Sequence, residues 1–280
     1  TFNMRYFLHV RTLVQTAVLT VLPLAAFGAT PLELQRLHEV LGIESMLEIM
    51  REEGLMQSED LRDDMFPGRG GAGWDKIVSR IYDTERMSGI FRDVMDTELV
   101  ETDVTPLIAF FEAPVGVQII ELELEGRRAM LDPAVEEAAL VGGADLQETD
   151  AVRFELIDDF VSANDLIEFN VMGAMNSSVA FLKGLSDGGG FNMPEGEILS
   201  DVWAQEPELR DETVEWMYGY LTMAYGPLAD DDLKAYTELT ETPAGRDLNR
   251  ALFAAFDALF LDVSYALGTS ASTFMISEDL

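Results

Sequence analysis

"LKAYTELTETPAGRDLNRALFAAFDALF", residues 233–260, holds the reading that decides the fold. A run with helical spacing stops at Glu241-Thr242-Pro243-Ala244-Gly245, and a second helical run follows. Proline pushes the residue before it out of the α region, so the first helix must end near Glu241. Pro243 suits the first turn of the next helix, where a missing N–H is harmless. Thr242 is a good N-cap for it. Gly245 removes a side chain one turn in and lets the two helices approach closely. The same pattern, Glu112-Ala113-Pro114-Val115-Gly116, stands 129 positions earlier, with Ala113 a poorer cap. Glu-x-Pro-x-Gly therefore reads as the corner of a helical hairpin, written twice. The competing reading makes Glu112 and Glu241 a carboxylate pair at a site.

Helical periodicity extends outward from these corners. "LELQRLHEVLGIESMLEIMREEGL" (32–55) spaces its apolar residues by three and four, as do "DETVEWMYGYLTMAYGPL" (211–228) and "LNRALFAAFDALFLDVSYALG" (248–268). "VGVQIIELELEG" (115–126) could be a strand, but it follows Pro114 and suits a helix better. The predicted fold class is all-α. Glycine-rich breaks are expected at "PGRGGAG" (67–73), "GGAD" (142–145) and "SDGGGFNMPEG" (186–196). The middle one divides the chain into segments 30–142 and 147–280, which look related. An offset of 120 pairs Leu37 with Ile157 and Leu41 with Val161. An offset of 129 pairs Trp74 with Trp203, Phe91 with Tyr220, Pro114 with Pro243 and Gly116 with Gly245. Two of three tryptophans falling on the offset of the corner motif points to tandem duplication of a hairpin repeat.

Residues 1–29 differ from the rest. They carry Arg5 and Arg11, no Asp or Glu, and the apolar run "TLVQTAVLTVLPLAAFG", which fits a secretory signal peptide. Gln15, Thr16, Thr20 and Pro23 interrupt it too often for a membrane anchor, which needs about 20 apolar residues. Met4 is read as the start, with residues 1–3 upstream, and cleavage is expected near Gly28 or Ala29. The expected location is periplasmic or secreted, with membrane contact only in transit. The 280 residues include 52 acidic and 18 basic ones, a formal net charge of −34. Such a charge repels phosphate backbones and anionic lipid surfaces, which argues against a nucleic-acid partner. Without cysteine there is no disulfide, thiol nucleophile or thiolate zinc site.

"LIAFFEAPVGVQIIELELEGRRAMLD" (107–132) and residues 233–260 resemble the secreted bacterial proteins grouped as domain of unknown function 2059. "MLEIMREEGL" and the glycine-rich loop before Trp74 look like the variant of that family with an added N-terminal helical region. The resemblance implies an exported all-α protein and carries over no catalytic residue.

Motifs of known chemistry fail on inspection. "GLSDG" (184–188) matches Gly-x-Ser-x-Gly, but a nucleophile elbow needs a strand before it and a histidine after it. His38 is the sole histidine beyond the opening segment. "PGRGGAGWDK" lacks the Gly-Lys-Ser/Thr ending of a phosphate loop and reads as a connector. Asp230-Asp231-Asp232 lacks the ligand spacing of a calcium loop and suits a helix start. No cofactor or metal is expected. Arg127 and Arg128 are expected to pair with nearby glutamates or to grip an acidic partner. Trp74 and Trp203 are candidates for a groove between the halves, with burial as core anchors the competing role. The expected function is non-enzymatic binding of an envelope protein or small ligand; the alternative is a glycan hydrolase using paired carboxylates.

Overall fold

Thr30 opens the first helix by a capping box: its hydroxyl accepts from the Glu33 N–H while the Glu33 carboxylate accepts from the Thr30 N–H. From there the computed structural model, which describes residues 28–276, contains helices and no strand among those residues. The first series is α1 (Pro31–Val40), α2 (Ile43–Met65), α3 (Gly71–Ile81), α4 (Thr84–Leu99), α5 (Thr105–Glu112) and α6 (Pro114–Ala129). After α7 (Pro133–Thr149) come α8 (Ala151–Ala163), α9 (Leu166–Asp187), α10 (Glu195–Ala204), α11 (Glu206–Tyr225), α12 (Asp230–Thr240) and α13 (Pro243–Ile276). The all-α reading holds. The signal-peptide reading falls almost wholly outside the described residues.

Both Glu-x-Pro-x-Gly motifs are corners. α5 ends at Glu112 and α6 starts at Pro114; α12 ends at Thr240 and α13 starts at Pro243. Thr242 caps α13 by accepting from the Gly245 N–H at 3.0 Å, while Ala113 makes no side-chain cap. A Cβ on Gly116 would stand 2.5 Å from Phe111 Cα, and one on Gly245 2.7 Å from Thr240 Cα. Each is the Cα five residues back, so the two corners share one geometry.

Packing also follows one scheme in both series. α1 lies on α5 and α8 on α12; α2 lies on α4 and α9 on α11. The contacts then cross over: α13 packs on α4, and α6 packs on α11. The core beneath α1–α5 is accordingly completed by Leu248, Ala251, Ala255, Leu259 and Val263 of α13. The second core joins Ile119 of α6 to Leu146, Ile157, Phe160, Leu221 and Leu233.

Two glycine readings divide differently. The breaks at 67–73 and 186–196 do separate helices, but Gly142 and Gly143 lie inside α7. Gly143 is there to let α7 meet α11: a Cβ would come 2.6 Å from the Gly219 nitrogen. Gly143 and Gly219 give this close approach between the helices, and alanine neighbours keep α7 helical.

α13 spans 34 residues and, among the described residues, is the one helix long and apolar enough to cross a membrane. Its buried residues recur every three or four positions and pack on α4 and α9. Against α9 the approach is close enough that a Cβ on Gly268 would meet the Leu185 nitrogen at 3.0 Å.

Candidate functional site

The feature most suited to holding a ligand is a groove of about 770 Å³ bounded by α2, α9, α11 and α13. Its walls come from periodic stripes that fold locally as helices but are only partly covered by neighbours. On α13, Phe253, Phe256 and Phe260 recur at intervals of three and four and so share a face. Phe256 reaches into the core against Phe91, whereas Phe253 stacks on Phe169 of α9 with centroids 4.3 Å apart. Met46 and Met50 of α2 and Met172 of α9 add soft, adaptable surface. Trp216 and Tyr220 of α11, stacked 5.1 Å apart, close another side.

Charge at the groove is already engaged. Arg127 lies over the Trp216 ring at 5.0 Å and donates to Glu53 at 2.7 Å. Arg250 pairs with Asp247 at 2.6 Å. Asp257, the one carboxylate lining the groove, accepts from the Asn176 amide at 3.0 Å.

Directly behind Tyr220 lies a cluster of unlike polarity. The Tyr220 hydroxyl donates to the Glu123 carbonyl at 2.9 Å, and the Tyr225 hydroxyl donates to the Glu123 carboxylate at 2.7 Å. Tyr236 adds a second hydroxyl to that carboxylate. Glu123 is half-buried as a residue, but its carboxyl points at these tyrosines, away from water. Burial pushes it up to about 7, with the tyrosine hydrogen bonds opposing the rise. Burial and the adjacent Glu123 charge hold Tyr225 and Tyr236 well above the ordinary phenol range, so both remain donors.

The residues singled out from sequence are scattered by comparison. Arg127 reaches the groove. Arg128 makes only a long contact with Glu52, at 3.4 Å. Trp74 is fully buried between Phe66 and Phe274, donating Nε1–H to the Ser58 carbonyl at 2.9 Å. Trp203 is 57% exposed at the end of α10. Neither tryptophan lines the groove; that position belongs to Trp216. Pro114 and Pro243 are exposed and Gly116 and Gly245 buried at the two corners. Glu112 pairs with Arg36 at 2.6 Å on the surface, and Glu241 is exposed at its corner. Substituting Glu112 with Gln should shift stability by no more than about 0.5 kcal/mol, as exposed ion pairs contribute little. Thermal melts of the variant beside wild type measure this.

Other motifs prove structural. Ser186 of "GLSDG" lies within α9. His38 is buried with Nε2 2.7 Å from Asp96. No group of three metal-ligating side chains occurs among the described residues.

Sequence reasoning missed Trp216, Tyr220 and Glu123. The spacing of Trp216 and Tyr220 by four was visible, but a helix pair of that kind looks the same in a closed core. Comparison with protein-family models, curated proteins and solved structures finds no match to this chain.

Proposed function

We propose that this chain is a binding protein of the bacterial cell envelope that holds a small, largely apolar molecule in the groove between α2, α9, α11 and α13. The observation that carries the reading is the groove's lining: phenylalanine, methionine and tryptophan around about 770 Å³, with each charged side chain already partnered. Pockets of this size and polarity are typical of small-molecule sites. Export rests on the opening segment and on the resemblance to the secreted family of domain 2059, and belongs to the same proposal. So does tandem duplication, supported by the shared corner geometry and the recurring packing scheme. A glycan hydrolase needs two carboxylates facing one substrate. The groove offers only Asp257, so this arrangement gives the alternative no support.

The test uses a neutral apolar fluorophore, N-phenyl-1-naphthylamine, titrated into purified protein lacking residues 1–29. Saturable fluorescence enhancement is expected, together with roughly tenfold or greater weakening by Phe169→Glu or Met172→Glu. These positions are 38% and 43% exposed, so the fold should tolerate the change. Enhancement that is absent, or indifferent to both substitutions, would refute the site.

A further inference from the structure

A second cavity, of about 440 Å³, continues the groove. Ser177 lines both. The same three long helices supply both in the same order along their axes. α2 gives Met46 and Met50 to the first and Gln57 to the second. α9 gives Phe169 and then Ser178, and α13 gives Phe253 and then Ser264. From Arg250 to Leu267 along α13 the two cavities extend about 25 Å, at the rise of an α-helix.

The two ends differ chemically. The first is aromatic and methionine-rich. The second carries hydroxyls and amides, among them Gln205 at the junction of α10 and α11, beside apolar residues such as Phe181 and Leu182, and none of its lining residues is charged. That absence is notable in a chain with 52 acidic residues. An ionic headgroup would find no free counter-charge there, and an anionic one would also meet the repulsion of a net charge of −34. Gln57, Ser178 and Gln205 turn their donors back onto Glu53, Ala174 and Asp201, which leaves their oxygens as acceptors for the hydroxyl or amide N–H of a neutral headgroup.

Building on the groove reading above, we infer that the two cavities form one elongated site for a single-chain amphiphile with an uncharged polar head. Its acyl chain lies along the stacked Phe169–Phe253 pair and Met172, and its head lies among Gln57, Ser178, Gln205 and Ser264.

The experiment displaces bound N-phenyl-1-naphthylamine with 1-monooleoylglycerol or with oleate, each kept below its aggregation threshold. The monoacylglycerol should compete at a concentration at least about tenfold lower than oleate. Ser264→Glu should weaken monoacylglycerol by about tenfold while leaving the fluorophore bound. Because Ser264 is half-buried, the exposed pair Gln57→Leu and Gln205→Leu gives a second reading with less risk to the fold, and the same selective loss is expected. Equal competition by the two lipids would overturn the neutral-head assignment and leave the groove standing. Monoacylglycerol binding unchanged in both polar-end variants would remove the second cavity from the site. Failure of the fluorophore to bind wild type would refute the groove and this inference with it.

Discussion

Gly116→Ala and Gly245→Ala are each expected to destabilise the protein by about 3 kcal/mol, and leucine at either position by more. A methyl group at Gly116 would stand 2.5 Å from Phe111 Cα, and closer still to the Phe110 carbonyl oxygen. At Gly245 the corresponding atoms belong to Thr240 and Leu239. These are backbone atoms of the preceding helix, so no rotamer change can make room. Relief requires the corner to open, which would pull α6 from α11 or α13 from α4. For a chain of this size the loss should lower the melting temperature by roughly 6–12 °C. Gly142→Ala is the internal control. It lies in α7 with nothing within 4 Å of the added carbon, and alanine there should stabilise by about 1 kcal/mol through helix propensity. Corner variants that melt with wild type would dismiss the close-approach explanation.

The second large effect is a pH dependence at Glu123. Unfolded, its carboxyl titrates at its ordinary value of 4.5; folded, burial pushes it up to about 7. Between these values the native state holds a proton that the unfolded chain has released. Stability from this group is therefore fully present below about 4.5, falls as pH rises toward 7, and is lost above. At about 1.4 kcal/mol per unit of separation the loss is roughly 3 kcal/mol or slightly more. Glu33, Glu39 and Glu168 have lowered values because they accept hydrogen bonds from Thr30, Arg36 and Arg210, and they act in the opposite sense. Glu123 must accordingly be isolated by difference. Glu123→Gln keeps an oxygen for Tyr225 and cannot ionise. It should exceed wild type by about 2–3 kcal/mol at pH 8 and match it near pH 4.5, as read by urea unfolding at both values. A constant gap across pH would mean that the carboxyl does not titrate inside this window.

Local rules made the corners legible. Proline, glycine and a capping threonine act on their immediate neighbours, and the structure obeys them at Pro114, Gly116, Thr242, Pro243 and Gly245. The glycine pair at 142–143 misled because glycine serves two ends, chain breaking and close helix approach, and only the partner helix distinguishes them. The groove was less legible still. Phe253 and Phe256 belong to one stripe in the sequence, yet one meets Phe169 at an open rim and the other Phe91 in the core. What separates them is which helix each side of α13 meets, α9 or α4, and that is set by packing between distant segments. Glu123 was hidden for the same reason, since its partners Tyr225 and Tyr236 lie more than 100 positions away.

α13 also bears on the order in which the cores can close. Trp74 packs against Phe274, two hundred positions later. During translation the core of α1–α5 thus stays unfinished until α13 has left the ribosome. This packing disfavours an order in which α1–α5 fold to completion before α13 has been made. Loss of even the last turns of α13 through an early stop codon would strip Trp74 of its cover.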